Sequence, residues 1–191
     1  MAAEYKMQQE IQIREMKPDD YSGVRALWMT IRGFGIRSID DSKQGVERFI
    51  KRNPSTSVVA VDHGRIIGAI LCGHDGRRGC FYHVCVHEDY RKQGIGKGMA
   101  VFAMKALQKE QINKVSLIAF KSNEVGNHFW RSVGWTFRED LNYYDFTLND
   151  ANITEFILPD RQDMSGNADS RAKERNDARE SVLLANFTDR Q

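Results

Sequence analysis

Three apolar runs follow one another in the middle of the chain, at residues 58–61, 66–72 and 80–86, and a glycine-marked turn separates each from the next. The first turn is Asp62-His63-Gly64-Arg65, a hairpin signal, and the second is Asp75-Gly76-Arg77-Arg78-Gly79. Connections this short make neighbouring strands antiparallel. An antiparallel β-meander is therefore expected at the centre of the molecule. The segment after it changes character. A polar loop, 87–96, is followed by Met99, Phe102, Ala103, Ala106 and Leu107 at the spacing of a helix face. The next apolar run, 115–120, is reached through that helix and is expected to lie parallel to the strand before it.

On the N-terminal side, Ile11, Ile13 and Met16 alternate with polar residues up to Pro18, the pattern of a first strand ended by a turn. Asp19 is expected to cap a helix with Tyr21, Val24, Leu27, Trp28 and Ile31 on its apolar face. The glycine-marked stretch 33–39 breaks it, and Asp40 or Asp41 is expected to cap a second helix carrying Val46, Phe49 and Ile50. Downstream, 123–132 reads as a helix ended by Gly134, and 135–137 and 143–148 read as two closing strands. The expectation is an α/β (α+β) fold with a mixed central sheet and the order β-α-α-β-β-β-α-β-α-β-β. This domain spans 8–150. The remainder, 151–191, is a polar tail, read either as partly disordered or as a lone helix near 168–184 that docks on a partner subunit in a homodimer.

A chain of 191 residues suits one such domain, and a net charge of +2 lacks the basic excess that phosphate backbones or anionic membranes attract. Nucleic acid and membrane are poor first partners. The first ten residues contain no apolar stretch, which fits a cytoplasmic protein, as do Cys72, Cys80 and Cys85 without a Cys-x-x-Cys pair. These cysteines read as reduced core thiols. The histidines lack ligand spacing, so no metal site is expected.

Chemistry concentrates in Val84-Cys85-Val86-His87-Glu88-Asp89-Tyr90-Arg91-Lys92-Gln93-Gly94-Ile95-Gly96-Lys97-Gly98. A strand ends there, two close glycines let the backbone aim N–H groups inward, and a helix begins with its positive dipole end. That is an anion cradle suited to a pyrophosphate, with Arg91, Lys92 and Lys97 supplying charge. The P-loop spacing fails, because Arg91 and Gly98 stand where it needs glycine and Ser or Thr. The dinucleotide fingerprint fails as well, because Met99 stands at its third glycine.

What remains, Arg91-x-x-Gly94-x-Gly96 after an apolar strand, resembles the GNAT N-acetyltransferase family, in particular its small bacterial-type members. A second segment, Asn123-x-x-Gly126-x-x-x-Trp130-x-x-x-Gly134-Trp135, resembles that family's Asn-x-x-Ala-x-x-x-Tyr-x-x-x-Gly-Phe. The turn at 73–79 adds to the likeness, which covers 11–148. The resemblance implies a GNAT acyltransferase fold with acetyl-CoA as cosubstrate. Backbone groups of Val84 and Val86 would pair with the pantetheine arm as a pseudo-strand. Arg91, Lys92, Gln93, Gly94, Ile95, Gly96 and Lys97 would wrap the pyrophosphate. Asn123 would touch the cofactor arm while also suiting the N-cap of its helix. The implied reaction is acetyl transfer to a primary amine of a small molecule or a protein, by direct attack in a ternary complex. The alternative is a catalytically weak acyl-CoA-binding sensor.

A lysine-like amine has a pKa near 10.4, so at pH 7 only about one molecule in a few thousand is neutral and able to attack. A proton acceptor therefore helps. The departing thiolate, with a pKa of about 8.5, needs less assistance. Relatives place a tyrosine acid where this chain has Trp130, and some place a carboxylate where it has Ile118. Tyr82 is the candidate substitute, because it stands two residues before Val84 and is expected to share its cleft-facing side. His83 is expected on the opposite face, and His74, His87 and His128 are read as solvated.

Overall fold

The computed structural model describes residues 11–157. In chain order the elements are β1 (Gln12–Glu15), α1 (Tyr21–Trp28), β2 (Gly35–Arg37), α2 (Lys43–Arg52), β3 (Val58–Asp62), β4 (Arg65–His74), β5 (Gly79–Val86), α3 (Ile95–Lys109), β6 (Val115–Leu117), α4 (Glu124–Ser132) and β7 (Thr154–Phe156). A five-stranded sheet runs β1-β3-β4-β5-β6, antiparallel throughout except for the parallel pair β5–β6. The expected meander is β3–β4–β5. Its first turn has positive φ at both central residues, 46° at His63 and 79° at Gly64, as a two-residue hairpin loop requires.

Alternation along the strands divides the core into two layers. Val58, Ala60, Ile67, Ile70 and Phe81 face Met99, Ala103 and Leu107 of α3. Val59, Ala69, Leu71 and Cys85 face Val24 and Trp28 of α1 and Val46 and Ile50 of α2. β4 is covered on both sides, which is why it reads as an unbroken apolar run rather than as alternation. Burying one such Leu, Ile or Met side chain is worth about 1.5–3 kcal/mol, so each helix is held chiefly by its apolar face.

Several expectations change at the edges. Residues 135–137 and 143–148 form no strand; Phe137, Tyr143, Tyr144, Phe146 and Leu148 are exposed. The additional pairing is β2 with β7, Ile36 opposite Glu155, a contact between segments more than a hundred residues apart that local periodicity does not encode. The domain therefore continues past 150: the compact unit reaches Ile157. The remainder of the expected tail lies outside the described residues, as do residues 8–10.

Helix capping also differs. Ser42, not Asp40 or Asp41, caps α2, its Oγ accepting from Gly45 N at 3.1 Å. Asp19 caps nothing and lies in a short 3-10 turn, Pro18–Asp20, whose last residue holds Arg14 through two 2.7 Å bonds. Asn123 does cap α4, its Oδ1 accepting from Gly126 N at 2.9 Å, and Gly134 ends the turn after it with φ 90°.

Candidate active site

The parallel pairing of β5 with β6 covers only Gly79–Phe81 against Val115–Leu117. β5 continues to Val86 while the segment after Leu117 leaves the sheet, with Ile118 and Phe120 exposed. Residues 82–86 thus have a strand partner on the β4 side alone. The open edge presents main-chain donors and acceptors to any extended ligand, and Val84 and Val86 stand in that stretch. The Val86 carbonyl also accepts from Arg91 Nε at 3.1 Å, which ties the loop to the strand end.

At the end of that edge α3 begins. Its N-cap is Gly94 with φ 81°, a conformation glycine alone adopts freely, and no side chain caps the first turn. The leading N–H groups are therefore available to an anion. Nothing lies within 4 Å of a Cβ built on Gly94, whereas one on Gly96 meets Phe129 Cζ at 3.3 Å. Gly94 opens the loop; Gly96 lets α4 approach α3. Arg91, Lys92, Gln93 and Lys97 are exposed around the mouth, and Ile95 is buried beneath it. These features fit a CoA pyrophosphate and arm: uncapped amides, nearby cations and an unpaired strand edge in sequence along one groove.

The floor of the groove departs from the sequence expectation. Ala69 pairs with Cys85 but Leu71 pairs with Tyr82, so Ile70 faces two residues, His83 and Val84. This is a β-bulge, with His83 at φ 48°. The extra residue reverses the alternation. Phe81, Val84 and Val86 pack toward α3, whereas the Tyr82 ring meets Phe49 of α2 edge-on at 5.9 Å and the His83 ring meets Trp28 of α1 at 4.7 Å. Tyr82 therefore does not share a face with Val84, and His83 does not face away from Tyr82. Both stand on the α1–α2 side.

His83 is the residue the strand pattern concealed. Its ring contacts both Trp28 and Phe34, with centroids 4.7 and 4.8 Å away, and those two rings also meet each other at 6.2 Å; its Nε2 is 2.6 Å from Oδ1 of the buried Asp41. Asp41 is itself fixed: Arg37 N donates to Oδ2 at 2.6 Å, and Tyr21 OH donates to its carbonyl at 2.9 Å. Burial, followed by the neighbouring Cys80, pushes the Tyr82 phenol up to about 12. It stays protonated at neutral pH and is a donor, not a base. Trp130 is buried against Phe81 and Trp135, a core ring rather than a wall of the groove. His87 is not solvated; its Nε2 meets Arg65 Nη2 at 3.0 Å.

A mixed sheet splayed beside an uncapped, glycine-opened helix N-terminus defines the class: an acyl-CoA-dependent acyltransferase. The sequence model of the acetyltransferase (GNAT) family matches residues 22–135, and the chain belongs to that family. Relatives include an acetyltransferase of Pectobacterium atrosepticum, 31% identical over 115 residues covering 60% of this chain and 80% of that one. An acetyltransferase of Sodalis glossinidius is 32% identical over the same shares. Among solved structures, the aminoglycoside acetyltransferase AAC(6')-Iy with a CoA-linked bisubstrate analogue superposes with TM-score 0.59 at 15% identity, covering 72% of this chain and 99% of that one. An aminoglycoside acetyltransferase from an uncultured soil metagenomic sample, in complex with sisomicin, superposes at 0.60 with 18% identity, over 73% and 97%. No described helix is long and apolar enough to cross a membrane.

Proposed function

We propose that the protein transfers the acetyl group of acetyl-CoA to a primary amine by direct attack in a ternary complex. The observation that carries this reading is the open edge of β5 at 82–86 running into the uncapped first turn of α3. Only a ligand with both a strand-like arm and a pyrophosphate uses the two together. Bound there, acetyl-CoA supplies the thioester that the amine attacks. Backbone groups of Val84 and Val86 hold the arm, and Arg91, Lys92, Gln93, Gly94, Ile95, Gly96 and Lys97 surround the pyrophosphate. Asn123 keeps an amide nitrogen free for the arm while its oxygen caps α4.

Main-chain N–H groups at the end of β5 stand ready to stabilise charge on the carbonyl oxygen. Holding both partners at the groove replaces a slow bimolecular encounter by an oriented one. Tyr82, protonated at working pH, is proposed to hand a proton to the departing sulfur. The acceptor enters from the α1–α2 side, where the 33–39 segment and the 75–79 turn border the sheet. A second reading, an acyl-CoA sensor without turnover, is favoured by one observation: Trp130 is a core ring and Ile118 an exposed aliphatic where relatives carry an acid and a base.

Thermal shift and turnover test both. Acetyl-CoA and CoA are expected to raise the melting temperature, and ATP and NAD far less. Equal shifts from all four overturn the cofactor assignment. Consumption of acetyl-CoA across a library of primary amines separates the enzyme from the sensor.

A further inference from the structure

We infer that His83 is the proton acceptor for the incoming amine and that Asp41 positions it. The inference rests on the acetyltransferase reading above. An ionised carboxylate only accepts hydrogen bonds, so the 2.6 Å contact with Asp41 Oδ1 puts the ring proton of neutral His83 on Nε2. Nδ1 then carries the lone pair, and no described residue bonds to it. Nδ1 is also the ring nitrogen nearer the backbone, hence nearer the bulge, and the bulge lies in the part of β5 that β6 leaves unpaired.

Several features single out this pair. Its acid is 5% exposed and held at both carboxylate oxygens, so it is oriented rather than solvated. The imidazole packs against two aromatic rings that also touch each other, yet its side chain keeps 20% exposure, enough for a substrate to reach an edge. The backbone of His83 is in the left-handed region, a cost of order 1 kcal/mol for a side-chain-bearing residue, which glycine would avoid. A strained non-glycine residue on the open edge of β5 fits a requirement for its side chain.

The step balances without another reactant. The ammonium of the acceptor gives one proton to His83 Nδ1, and Asp41 stabilises the imidazolium through Nε2–H. The neutral nitrogen forms its bond to the thioester carbon, the carbon–sulfur bond breaks with the electron pair on sulfur, and Tyr82 passes its hydroxyl proton to that sulfur while taking up the second nitrogen-bound proton. His83 then releases its proton to solvent. The titratable group in contact with the ring is Asp41, whose carbonyl Tyr21 of α1 binds; the adjoining Tyr82 of β5 is in turn acted on by Cys80, Tyr143 and Arg37. Trp28, Phe34 and Phe49 bring no charge.

The test is chemical rescue. His83→Gly suits the φ of 48° and removes a ring's volume from beside Trp28, Phe34 and Asp41. With a responding amine, kcat/KM is expected to fall about 100-fold or more. Imidazole added to the assay is expected to restore at least about tenfold of that, rising with its neutral fraction. The acetyl-CoA thermal shift should be unchanged. Retention of activity within about threefold, or a loss that imidazole does not restore while that shift persists, overturns the assignment. In Asp41→Asn, which keeps an acceptor for Arg37 N, the rising limb of kcat/KM against pH is expected to move to lower pH, because the imidazolium loses its anion. A limb that stays in place removes Asp41 from the mechanism. If the wild-type protein acetylates no amine, the acetyltransferase reading falls and takes this one with it. If wild type is active and the variants match it, only the dyad falls.

Discussion

The Cα of Gly96 faces the edge of the Phe129 ring, and a Cβ at that position would stand 3.3 Å from Phe129 Cζ and 3.7 Å from Val86 Cγ2. Gly96 is thus a packing residue between α3, α4 and the end of β5, not a clearance for phosphate. Gly96→Val adds a Cβ and two methyls to this contact and is expected to destabilise the protein by about 1–3 kcal/mol in urea denaturation, whether or not CoA is present. Gly94→Val meets open space but must hold φ 81°, so its loss of stability comes from backbone strain of order 1–2 kcal/mol. A Gly96→Val protein as stable as wild type would show that α4 is free to move away.

Because both glycines serve folding, the cradle is better tested through its cations. Lys92 and Lys97 are exposed, and Lys92 has φ 61°, so Lys92→Gly relieves strain while removing charge. The Lys92→Gly, Lys97→Ala double variant is expected to keep its unfolding free energy without ligand within about 0.5 kcal/mol of wild type. Its CoA affinity should drop several-fold, and the salt dependence of binding should flatten. Titration calorimetry at two ionic strengths measures both. Unchanged affinity would place the pyrophosphate elsewhere.

With its phenol pushed up to about 12, Tyr82 loses its proton only above the working range, so activity that depends on it shows no alkaline limb below about pH 11. Tyr82→Phe keeps the ring against Phe49 and is expected to lower kcat about tenfold with little change in KM. Trp130→Tyr is expected to lower stability, since it shortens a buried ring, while changing kcat by less than about tenfold. Full kcat in Tyr82→Phe from pH 6 to 9 would mean that the sulfur takes its proton from water or from the substrate.

Asp75 Oδ1 accepts from Arg78 N at 2.6 Å and Arg77 N at 2.8 Å, and these two donors, Arg78 first, hold its carboxyl below the usual range. A depressed pKa adds stability above the unfolded value of about 3.9, lost as pH falls through the folded value. Asp75→Ala is therefore expected to melt at a lower temperature than wild type at pH 7, with the difference narrowing below about pH 4. A difference independent of pH would assign the effect to chain flexibility in the turn.

The sequence by itself determined the meander, the helix after it and the glycine-opened start of that helix, because each is local: turn residues at fixed offsets, apolar positions at a period of two or of about four, two glycines before an amphipathic run. It also placed the Asn123 cap. The tertiary structure alone decided the β2–β7 pairing and the content of the groove floor. A single bulged residue in β5 reverses every side chain after it, so strict alternation put Tyr82 with Val84 and turned His83 away, when His83 in fact meets Asp41 from 42 positions earlier. Asp41 carried a helix-cap pattern, and Ser42 beside it took that role. Which of two adjacent caps is used, and which strand absorbs an extra residue, depends on how the α1–α2 layer packs on the sheet, and that is a long-range condition no window of sequence contains.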